Sequence, residues 1–194
     1  MAGSFAQLAK NAEKKKPSIS VSKEPVKNPP LKVYQLGHEA LRTPANRIVK
    51  VDDSIRNLVK EMLITMYSSK GIGLAAPQVN IHLRLIVLDV SDQKNDPIFL
   101  VNPVITRAEG EIETSEGCLS IPGYSEPISR YETIEYEAID LNGNEKKDVA
   151  NGLLAICIQH EMDHLQGKLM VDRISSTKRQ LIRKRLLKQQ NQRA

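Results

Sequence analysis

The sequence predicts an α+β fold in which mostly antiparallel strands surround a central helix, with one further helix at the C-terminal end. Apolar residues recur at helical spacing in three segments, over about 53–69, 151–166 and 176–190. Between the first two segments lie short apolar or alternating stretches, which are typical of strands. Strands grouped between two helices, in a chain without an internal repeat, favour this fold class.

Capping residues predict where the helices begin and end. Asp52 or Asp53 can accept hydrogen bonds from the first turn of the first helix, and a glycine-rich turn at 71–73 follows its end. Gly167 is placed to stop the central helix. The C-terminal helix is expected to begin after Ser175 or Ser176.

Four strands are predicted between the helices. Residues 83–90 and 98–105 are largely apolar. From Thr133 apolar residues alternate with polar ones, so that one face of a strand is expected to be buried. The Asn-Gly-Asn sequence at 142–144 predicts a hairpin turn into a further short strand.

Charge is spread unevenly along the chain. Residues 1–32 hold seven lysines and two acids, and residues 173–194 hold eight basic side chains and no acid. The segment between them holds 13 basic and 21 acidic residues. We interpret residues 1–31, rich in Lys, Ser and Pro, as a mobile basic extension, and residues 173–194 as a basic C-terminal helix. A transit peptide is the rival interpretation of the extension, although the absence of Arg counts against it.

The composition also predicts a compartment. Two cysteines are too few for a disulfide framework and fit a reducing environment. Neither end shows the pattern of a secretory signal, and no apolar run approaches the roughly 20 residues needed to cross a bilayer. We therefore expect a cytoplasmic protein that does not contact membranes.

The most informative motif is His160-Glu161-Met162-Asp163-His164. Residues four apart lie on the same face of a helix, so both imidazoles can bind one ion, with Glu161 beside it. The alternative is a helix that carries two surface histidines. The apolar residues 153–158 weaken this alternative, because they predict a buried helix in which unpaired polar groups are costly. The central helix is therefore predicted to bind a metal.

A third ligand must come from upstream, because no His, Cys or Glu follows His164. Cys157 shares the helical face but lies seven residues from His164, roughly 10 Å along the axis at about 1.5 Å per residue. One ion cannot readily bind both ends of that span, so a buried structural thiol is the better interpretation of Cys157. Cys118 is the other candidate, and by itself it would equally fit a core cysteine.

Three segments together resemble the peptide deformylase family: residues 71–78 (GIGLAAPQ), 116–120 (EGCLS) and 159–164 (QHEMDH). They match the family's motifs in identity, order and spacing. The resemblance covers residues 32–172, which we interpret as the catalytic domain. It implies a metal-dependent hydrolase that removes the N-formyl group from the initiator methionine of newly synthesised polypeptides and releases formate. The implied partners are N-formyl-methionyl nascent chains.

The resemblance also implies roles for individual residues. The implied metal ligands are Cys118, His160 and His164. The implied catalytic residues are Glu161 as general acid and base, with Gln78 and the backbone N–H of Leu119 as the oxyanion hole. The residues expected around the substrate are Ile72, Gly73, Glu116, Leu153, Ile156 and Cys157. We expect His38 and His82 to lie outside the site.

Some features stay open at this point. Many family members have Arg where this chain has Ser125, so contacts beyond the methionine are undecided. Asp163 either orients the site through Arg130 or is a solvated helix acid. A metallopeptidase that cleaves internal peptide bonds is the main alternative activity. Those enzymes use a third metal ligand downstream of the second histidine, and this sequence has none there. A structural metal site in a ribosome-binding module would need a fourth protein ligand, and the sequence shows no candidate.

A thiolate with two imidazoles accepts Zn²⁺, Fe²⁺, Co²⁺ or Ni²⁺, and the resemblance favours Fe²⁺ in the cell. The C-terminal helix carries six basic residues between 178 and 188, and we hypothesise that it holds the enzyme at the phosphate-rich surface of the ribosome. The alternative is that Leu181, Ile182, Leu186 and Leu187 pack the helix onto the domain while its cations are solvated. Both can hold together.

Overall fold

The computed structural model describes residue 19 and residues 21–191. Within these residues the chain forms three α-helices, three short 3-10 helices and seven strands. The α-helices are α1 (Asp53–Ser68), α2 (Gly152–Leu165) and α3 (Ser176–Asn191). The strands are β1 (Gly73–Ala75), β2 (Leu85–Leu88), β3 (Ile98–Glu109), β4 (Ile112–Gly117), β5 (Ser125–Arg130), β6 (Thr133–Ile139) and β7 (Glu145–Asn151).

The strands form two antiparallel sheets. Five of them pair in the order β1-β2-β3-β6-β7, and β4 pairs with β5 in a separate two-stranded sheet. The predicted α+β class with mostly antiparallel strands is therefore confirmed. One consequence matters for the site, namely that β1 is an edge strand of the larger sheet.

The larger sheet lies between α1 and α2. Side chains alternate between the two faces of a strand. In β2, Leu85 and Val87 therefore pack with α1 on one face, whereas Ile86 and Leu88 pack with α2 on the other. All four side chains are fully buried. The helix α2 is thus central, as predicted.

The predicted helix boundaries are confirmed within one or two residues. The Asp52 side chain caps α1 by accepting hydrogen bonds from the backbone N–H groups of Ser54 and Ile55. Gly167 follows the C-terminus of α2 at a φ of +69°, which favours glycine. A Cβ at Gly167 would also lie 2.5 Å from the carbonyl oxygen of Arg42, so the position excludes larger residues.

Three strands lie where the sequence predicted none. The strand β1 begins at Gly73, where we expected only a turn. The strands β4 and β5 form a hairpin from sequences rich in Glu, Ser and Pro. Their faces are largely exposed or half-buried, so no apolar pattern indicated them.

The predicted mobile extension falls mostly outside the described residues, because residues 1–18 and residue 20 are not described. Residues 21–31 contain no helix or strand, yet they contact α1. The N–H of Leu31 donates a hydrogen bond to Thr65 Oγ1 at 3.3 Å, and the N–H of Val26 donates one to Ser68 Oγ at 3.2 Å. This part of the extension lies along α1.

The C-terminal helix α3 packs on the domain through two residues. Ile182 and Leu186 are buried against a cluster that includes Leu36, Leu41 and Leu169. Leu181 is 48% exposed, and the side chain of Leu187 lies outside the described part. The packing role predicted for this helix is therefore confirmed for Ile182 and Leu186 and is wrong for Leu181. None of the described helices is long and apolar enough to span a membrane.

Candidate metal centre and active site

The helix α2 brings two histidines to one of its sides. The ring centroids of His160 and His164 lie 5.1 Å apart, with the ring planes at 71°. Cys118 follows β4, and its Sγ lies 3.4 Å from Nε2 of His164. The candidate ligand atoms of these three residues all lie within 4.8 Å of one another. The structure therefore brings together the three residues predicted to hold the metal.

This donor set fits a single transition-metal ion. Metal–sulfur and metal–nitrogen bonds of about 2.3 and 2.0 Å place tetrahedral ligands roughly 3–4 Å apart, close to the separation of Cys118 and His164. Burial lowers the pKa of His164 well below its usual range, which keeps that imidazole neutral and able to donate a lone pair. Oε2 of Glu116 lies 2.8 Å from Nδ1 of His160, which leaves Nε2 of His160 for the ion.

A buried ion network holds Glu116 in place beside His160. Arg130 donates hydrogen bonds from Nε to Glu116 Oε1 at 2.7 Å and from Nη2 to Glu116 Oε2 at 2.9 Å. Its Nη1 donates to Oδ2 of Asp163 at 2.7 Å, and Arg173 donates to the same carboxylate at 2.7 and 2.8 Å. Asp163 therefore contacts Arg130, as one of the two interpretations predicted, and it is buried rather than solvated.

The network keeps its two carboxylates charged in the interior. Burial alone would raise the pKa of Glu116, but hydrogen bonds from Arg130 and His160 outweigh it and lower that pKa. Burial likewise opposes ionisation of Asp163, but hydrogen bonds from Arg173 and the charge of Arg130 lower its pKa. A charged Glu116 is a strong hydrogen-bond acceptor, so it fixes the ring orientation of His160.

Glu161 has a different environment from the acids of the network. It is buried, and burial raises its pKa to about 7. Its Oε2 has no hydrogen-bond partner among the described residues. A carboxyl group that titrates near neutrality can both accept and release a proton.

The strand β1 approaches Glu161 closely because residue 73 is glycine. A Cβ at Gly73 would lie 2.5 Å from Oε1 of Glu161 and 2.9 Å from Sγ of Cys157. Burial raises the pKa of Cys157 well above its usual value, so this thiol stays protonated. A protonated thiol is a poor metal ligand, which agrees with a structural interpretation of Cys157.

Gln78 is oriented by its own backbone neighbourhood. Its Oε1 accepts a hydrogen bond from the N–H of Ala75 at 2.8 Å, which turns Nε2 towards Ser120 Oγ at 3.2 Å and Cys118 Sγ at 3.7 Å. The N–H of Leu119 donates no hydrogen bond to any residue that the structure describes. Two neutral N–H donors, those of Gln78 Nε2 and the Leu119 backbone, therefore lie beside Cys118.

A cavity of about 1030 Å³ opens onto this centre. Its wall includes all six residues predicted around the substrate, namely Ile72, Gly73, Glu116, Leu153, Ile156 and Cys157. Ile72 and Leu153 are 40% and 53% exposed although they are apolar, which is typical of a surface that receives an apolar group. His38 and His82 do not line this cavity.

Sequence reasoning missed two contacts of the site. Glu116 was predicted only beside the substrate, but its carboxylate also binds Arg130 and His160. Residues two apart on an extended chain share a face, a signal that could have placed Glu116 beside Cys118. Nothing in the sequence pattern indicated that Arg173, beyond the end of α2, would bind Asp163.

Comparison with known proteins decides the family. The family model for polypeptide deformylase matches residues 30–180. The chain belongs to the polypeptide deformylase family. A peptide deformylase of Prochlorococcus marinus (strain NATL1A) is 64% identical to this deformylase over 178 residues, which are 90% of this chain and 88% of that protein. A peptide deformylase of Synechococcus sp. (strain CC9605) is 49% identical over 178 residues, 90% of this chain and 89% of the other.

Solved structures agree with this assignment. The crystal structure of a peptide deformylase from Synechococcus elongatus in complex with actinonin superposes with a TM-score of 0.82 at 46% identity, covering 89% of this chain and 94% of that one. A peptide deformylase from Legionella pneumophila gives a TM-score of 0.80 at 41% identity, covering 84% and 96%. The deformylase is thus a metal-dependent hydrolase that removes the N-formyl group from newly synthesised polypeptides. The predicted family and activity are confirmed.

Proposed function

We propose that Cys118, His160 and His164 hold the ion of this deformylase and that Glu161 carries the proton during hydrolysis. The observation behind this proposal is the position of Glu161. Its carboxylate is buried, lines the cavity and follows a candidate ligand directly in the sequence. When bound, a divalent ion in this donor set supplies Lewis acidity and lowers the pKa of water towards neutrality.

Glu161 accepts a proton from the attacking water and then delivers it to the departing amine. Its pKa of about 7 suits both transfers, because neither protonation state is strongly favoured. The water oxygen forms a bond to the formyl carbon and the carbon–nitrogen bond breaks. The products are formate and a polypeptide with a free methionine amine.

Gln78 and the N–H of Leu119 stabilise the negative charge that develops on the formyl oxygen. Both groups are neutral donors, so they do not repel a cation held by Cys118. The hydrogen bond from Ala75 to Gln78 Oε1 fixes the amide in the required orientation before the substrate arrives. Such preorganisation is worth about 3–4 kcal/mol of barrier for one donor.

The substrate methionine occupies the apolar part of the cavity formed by Ile72, Leu153 and Ile156. Its backbone runs along β1, because an edge strand offers hydrogen-bonding groups to an extended peptide. Gly73 permits close approach at this edge, since it carries no side chain. Ser125, on β5, also lines the cavity and leaves that part of the wall uncharged.

We infer that Fe²⁺ is the ion used in the cell, with Zn²⁺, Ni²⁺ or Co²⁺ able to occupy the same donors. The support is the set of one thiolate and two imidazoles together with the family resemblance. The test is anaerobic purification followed by metal analysis and an assay on formyl-Met-Ala-Ser and on Met-Ala-Ser. We expect one equivalent of iron and hydrolysis of the formylated peptide alone.

Exposure to air distinguishes an iron enzyme from one that holds Zn²⁺ or Ni²⁺. Iron beside the Cys118 thiolate is exposed to oxidation of both metal and sulfur, so air should inactivate the iron form. Substitution with Zn²⁺ or Ni²⁺ should protect the enzyme. Equal half-lives of the iron form in air and under nitrogen would contradict the choice of Fe²⁺.

We also propose that the enzyme works in the cytoplasm and that α3 holds it at the ribosome. Both described cysteines are free thiols, as expected in a reducing compartment. On α3, Lys178 binds Glu126 at 2.7 Å and Arg179 lies 3.5 Å from Asp172. The remaining exposed cations have no ion pair with a described residue, and they are Arg183, Lys184, Arg185 and Lys188. These four side chains are free to contact phosphates.

The ribosome proposal is tested by replacing the four free cations of α3 with Gln, which keeps Ile182 and Leu186 packed. A matched control replaces four exposed lysines elsewhere: Lys27, Lys50, Lys60 and Lys168. We expect the α3 variant to lose co-sedimentation with ribosomes at low salt while it hydrolyses free formyl-peptide normally. The control should bind ribosomes nearly as the wild type does. Equal binding of both variants would contradict the proposal.

A further inference from the structure

The outer part of the active-site cavity has a distinctive charge distribution. Among the described residues that line it, four are basic, acidic or histidine: Lys70, Glu116, His160 and Glu161. The last three are buried at the metal centre. Lys70 is exposed, so it is the charged side chain that a peptide meets outside the centre.

The backbone of Lys70 is fixed by the end of α1. Its φ is +59°, and its N–H donates a hydrogen bond to the carbonyl oxygen of Tyr67 at 2.9 Å. The N–H of Gly71 donates to the carbonyl oxygen of Met66 at 2.9 Å, which closes the same turn. In the described part of the chain no acid pairs with the Lys70 ammonium group. The backbone of Lys70 is therefore held in place, whereas its ammonium group has no acidic partner in the described part of the chain.

Apart from Glu116, which is bound to Arg130 and His160, the cavity wall formed by β4 and β5 has no acidic side chain among the described residues. Ser115 on β4 and Ser125 on β5 both line the cavity, and their hydroxyl oxygens lie 2.6 Å apart in a hydrogen bond. Their neighbour on β5, Glu126, is bound to Lys178 of α3 at 2.7 Å. The outer cavity therefore pairs one cation with a neutral, polar wall.

The N-terminal segment adds to this positive potential. The hydrogen bond from Val26 to Ser68 places it two residues from Lys70 along the end of α1. This segment carries Lys23, Glu24 and Lys27, and all three side chains are exposed. The net charge of residues 21–31 is therefore positive, the same sign as that of Lys70, although the Lys23 ammonium group donates to the carbonyl oxygen of Gln93.

We propose that Lys70 is a specificity-determining residue that favours nascent chains with an acidic side chain shortly after the formyl-methionine. The inference rests on the proposed position of the methionine beside Gly73 and on a substrate backbone that runs antiparallel to β1, so that the residues after the methionine extend towards Lys70. Lys70 precedes Gly73 by three residues, and an extended peptide advances about 3.3 Å per residue. The second or third residue beyond the methionine therefore comes within reach of the Lys70 ammonium group.

The expected effect is modest because the pair is exposed. Exposed ion pairs change affinities by about two- to fivefold, and salt screens them. The preference should appear in kcat/KM, since the contact is made as the substrate binds. It should shrink towards unity in about 0.5 M salt, where the screening length falls to a few ångströms.

The experiment compares formyl-Met-Ala-Xaa-Ser peptides, with Xaa as Glu, Gln or Lys, and a second series with the variable residue one position later. The enzymes are the wild type, Lys70→Gln, Lys70→Glu and the control Lys60→Glu, which reverses an exposed charge on α1 outside the cavity. Both Lys70 variants keep a side chain at the same positive φ, so their difference reports on charge rather than backbone strain.

We expect the wild type and Lys60→Glu to prefer Glu over Lys at low salt by about two- to fivefold in at least one series. Lys70→Gln should remove the preference and Lys70→Glu should invert it. The same order of substrates in wild type and Lys70→Glu would overturn the proposal for Lys70 while leaving the active site intact. Failure of the wild type to hydrolyse the neutral Gln peptides would overturn the proposed site and this inference with it.

Discussion

The helices α2 and α3 both contain several polar residues, but α2 buries them whereas α3 exposes them to solvent. Every residue of α2 from Ala155 to Leu165 is buried, including two histidines and two acids. Of the side chains described in α3, only Ile182 and Leu186 are buried, and the described cations are exposed. Burial of polar groups is costly, so the polar residues of α2 must each have a partner or a chemical role.

The partners within α2 separate these two reasons. Gln159 is buried, and both ends of its amide are hydrogen-bonded, to Tyr131 and to Ala155. Asp163 is likewise bound by two arginines. In contrast, Oε2 of Glu161 and Nδ1 of His164 have no partner among the described residues. Both of these unpaired atoms belong to residues that we assign to catalysis and metal binding. Outside α2, two further buried atoms of the described residues lack a partner, namely Nδ1 of His82 and Oγ1 of Thr114, and neither residue has such a role.

The largest expected loss of activity comes from replacing Cys118, the proposed metal ligand. The comparison is with Cys157, which we interpret as a structural thiol. Cys118→Ser replaces a soft anionic donor with a poor one. We expect it to lose the metal and to reduce turnover by about a thousandfold or more, because the reaction depends on the ion. Cys157→Ser should retain the metal. Metal analysis of both anaerobically purified variants makes the comparison, and the reverse pattern would show that the third ligand was assigned wrongly.

The next prediction concerns the buried ion network in which Arg130 binds Glu116 and Asp163. Arg130→Met keeps the volume but leaves two buried carboxylates short of a partner. Removing one member of a buried ion pair costs about 3–5 kcal/mol of unfolding free energy. Arg107→Met is the matched control, since Arg107 pairs with Glu109 and Glu135 at the surface. That change should cost no more than about 1 kcal/mol.

Urea denaturation of the two arginine variants, followed by circular dichroism, measures both free energies. Similar losses in the two variants would mean that burial does not distinguish the network from surface pairs. A loss confined to Arg130→Met would show that the buried network stabilises the fold more than the surface ion pairs of Arg107 do.

The smallest effects should appear in α3, where packing and charge can be separated. Ile182→Ala removes buried apolar surface and should cost about 2 kcal/mol or more. Arg183→Gln, one residue on, should change stability by less than about 0.5 kcal/mol, because its side chain is exposed. Denaturation curves of the two variants provide the test. A cost for Arg183→Gln equal to that of Ile182→Ala would show that the charges of α3 also hold it to the domain.

Most parts of the fold that the sequence predicted have an apolar pattern, whereas β7 was predicted from the Asn-Gly-Asn turn that precedes it. The helices α1 and α2 follow such patterns, and the structure has them within two residues of the predicted bounds. The strand β6 alternates in the same way and begins at Thr133, as predicted. The hairpin of β4 and β5 lacks this period, because its residues face a cleft and solvent rather than a core. Hydrophobic periodicity reports burial, so it cannot indicate strands of this kind.

The same holds for the site: local sequence patterns predicted its local contacts but not its long-range ones. The His160 and His164 pair follows from helical spacing, which is local. The contact of Cys118 with His164 spans 46 residues and required the family resemblance. The contact of Arg173 with Asp163 depends on how the chain turns after Gly167, and no local pattern encodes that turn's partners.

The most direct test of the central claim is Glu161→Gln, measured for metal content and for turnover of formyl-Met-Ala-Ser on the same anaerobic sample. The substitution keeps the shape of the side chain but removes its ability to accept and release a proton. We expect one equivalent of metal, as in the wild type, with turnover lower by about three orders of magnitude or more. Full metal content with turnover near that of the wild type would contradict the assignment of Glu161 as the proton carrier.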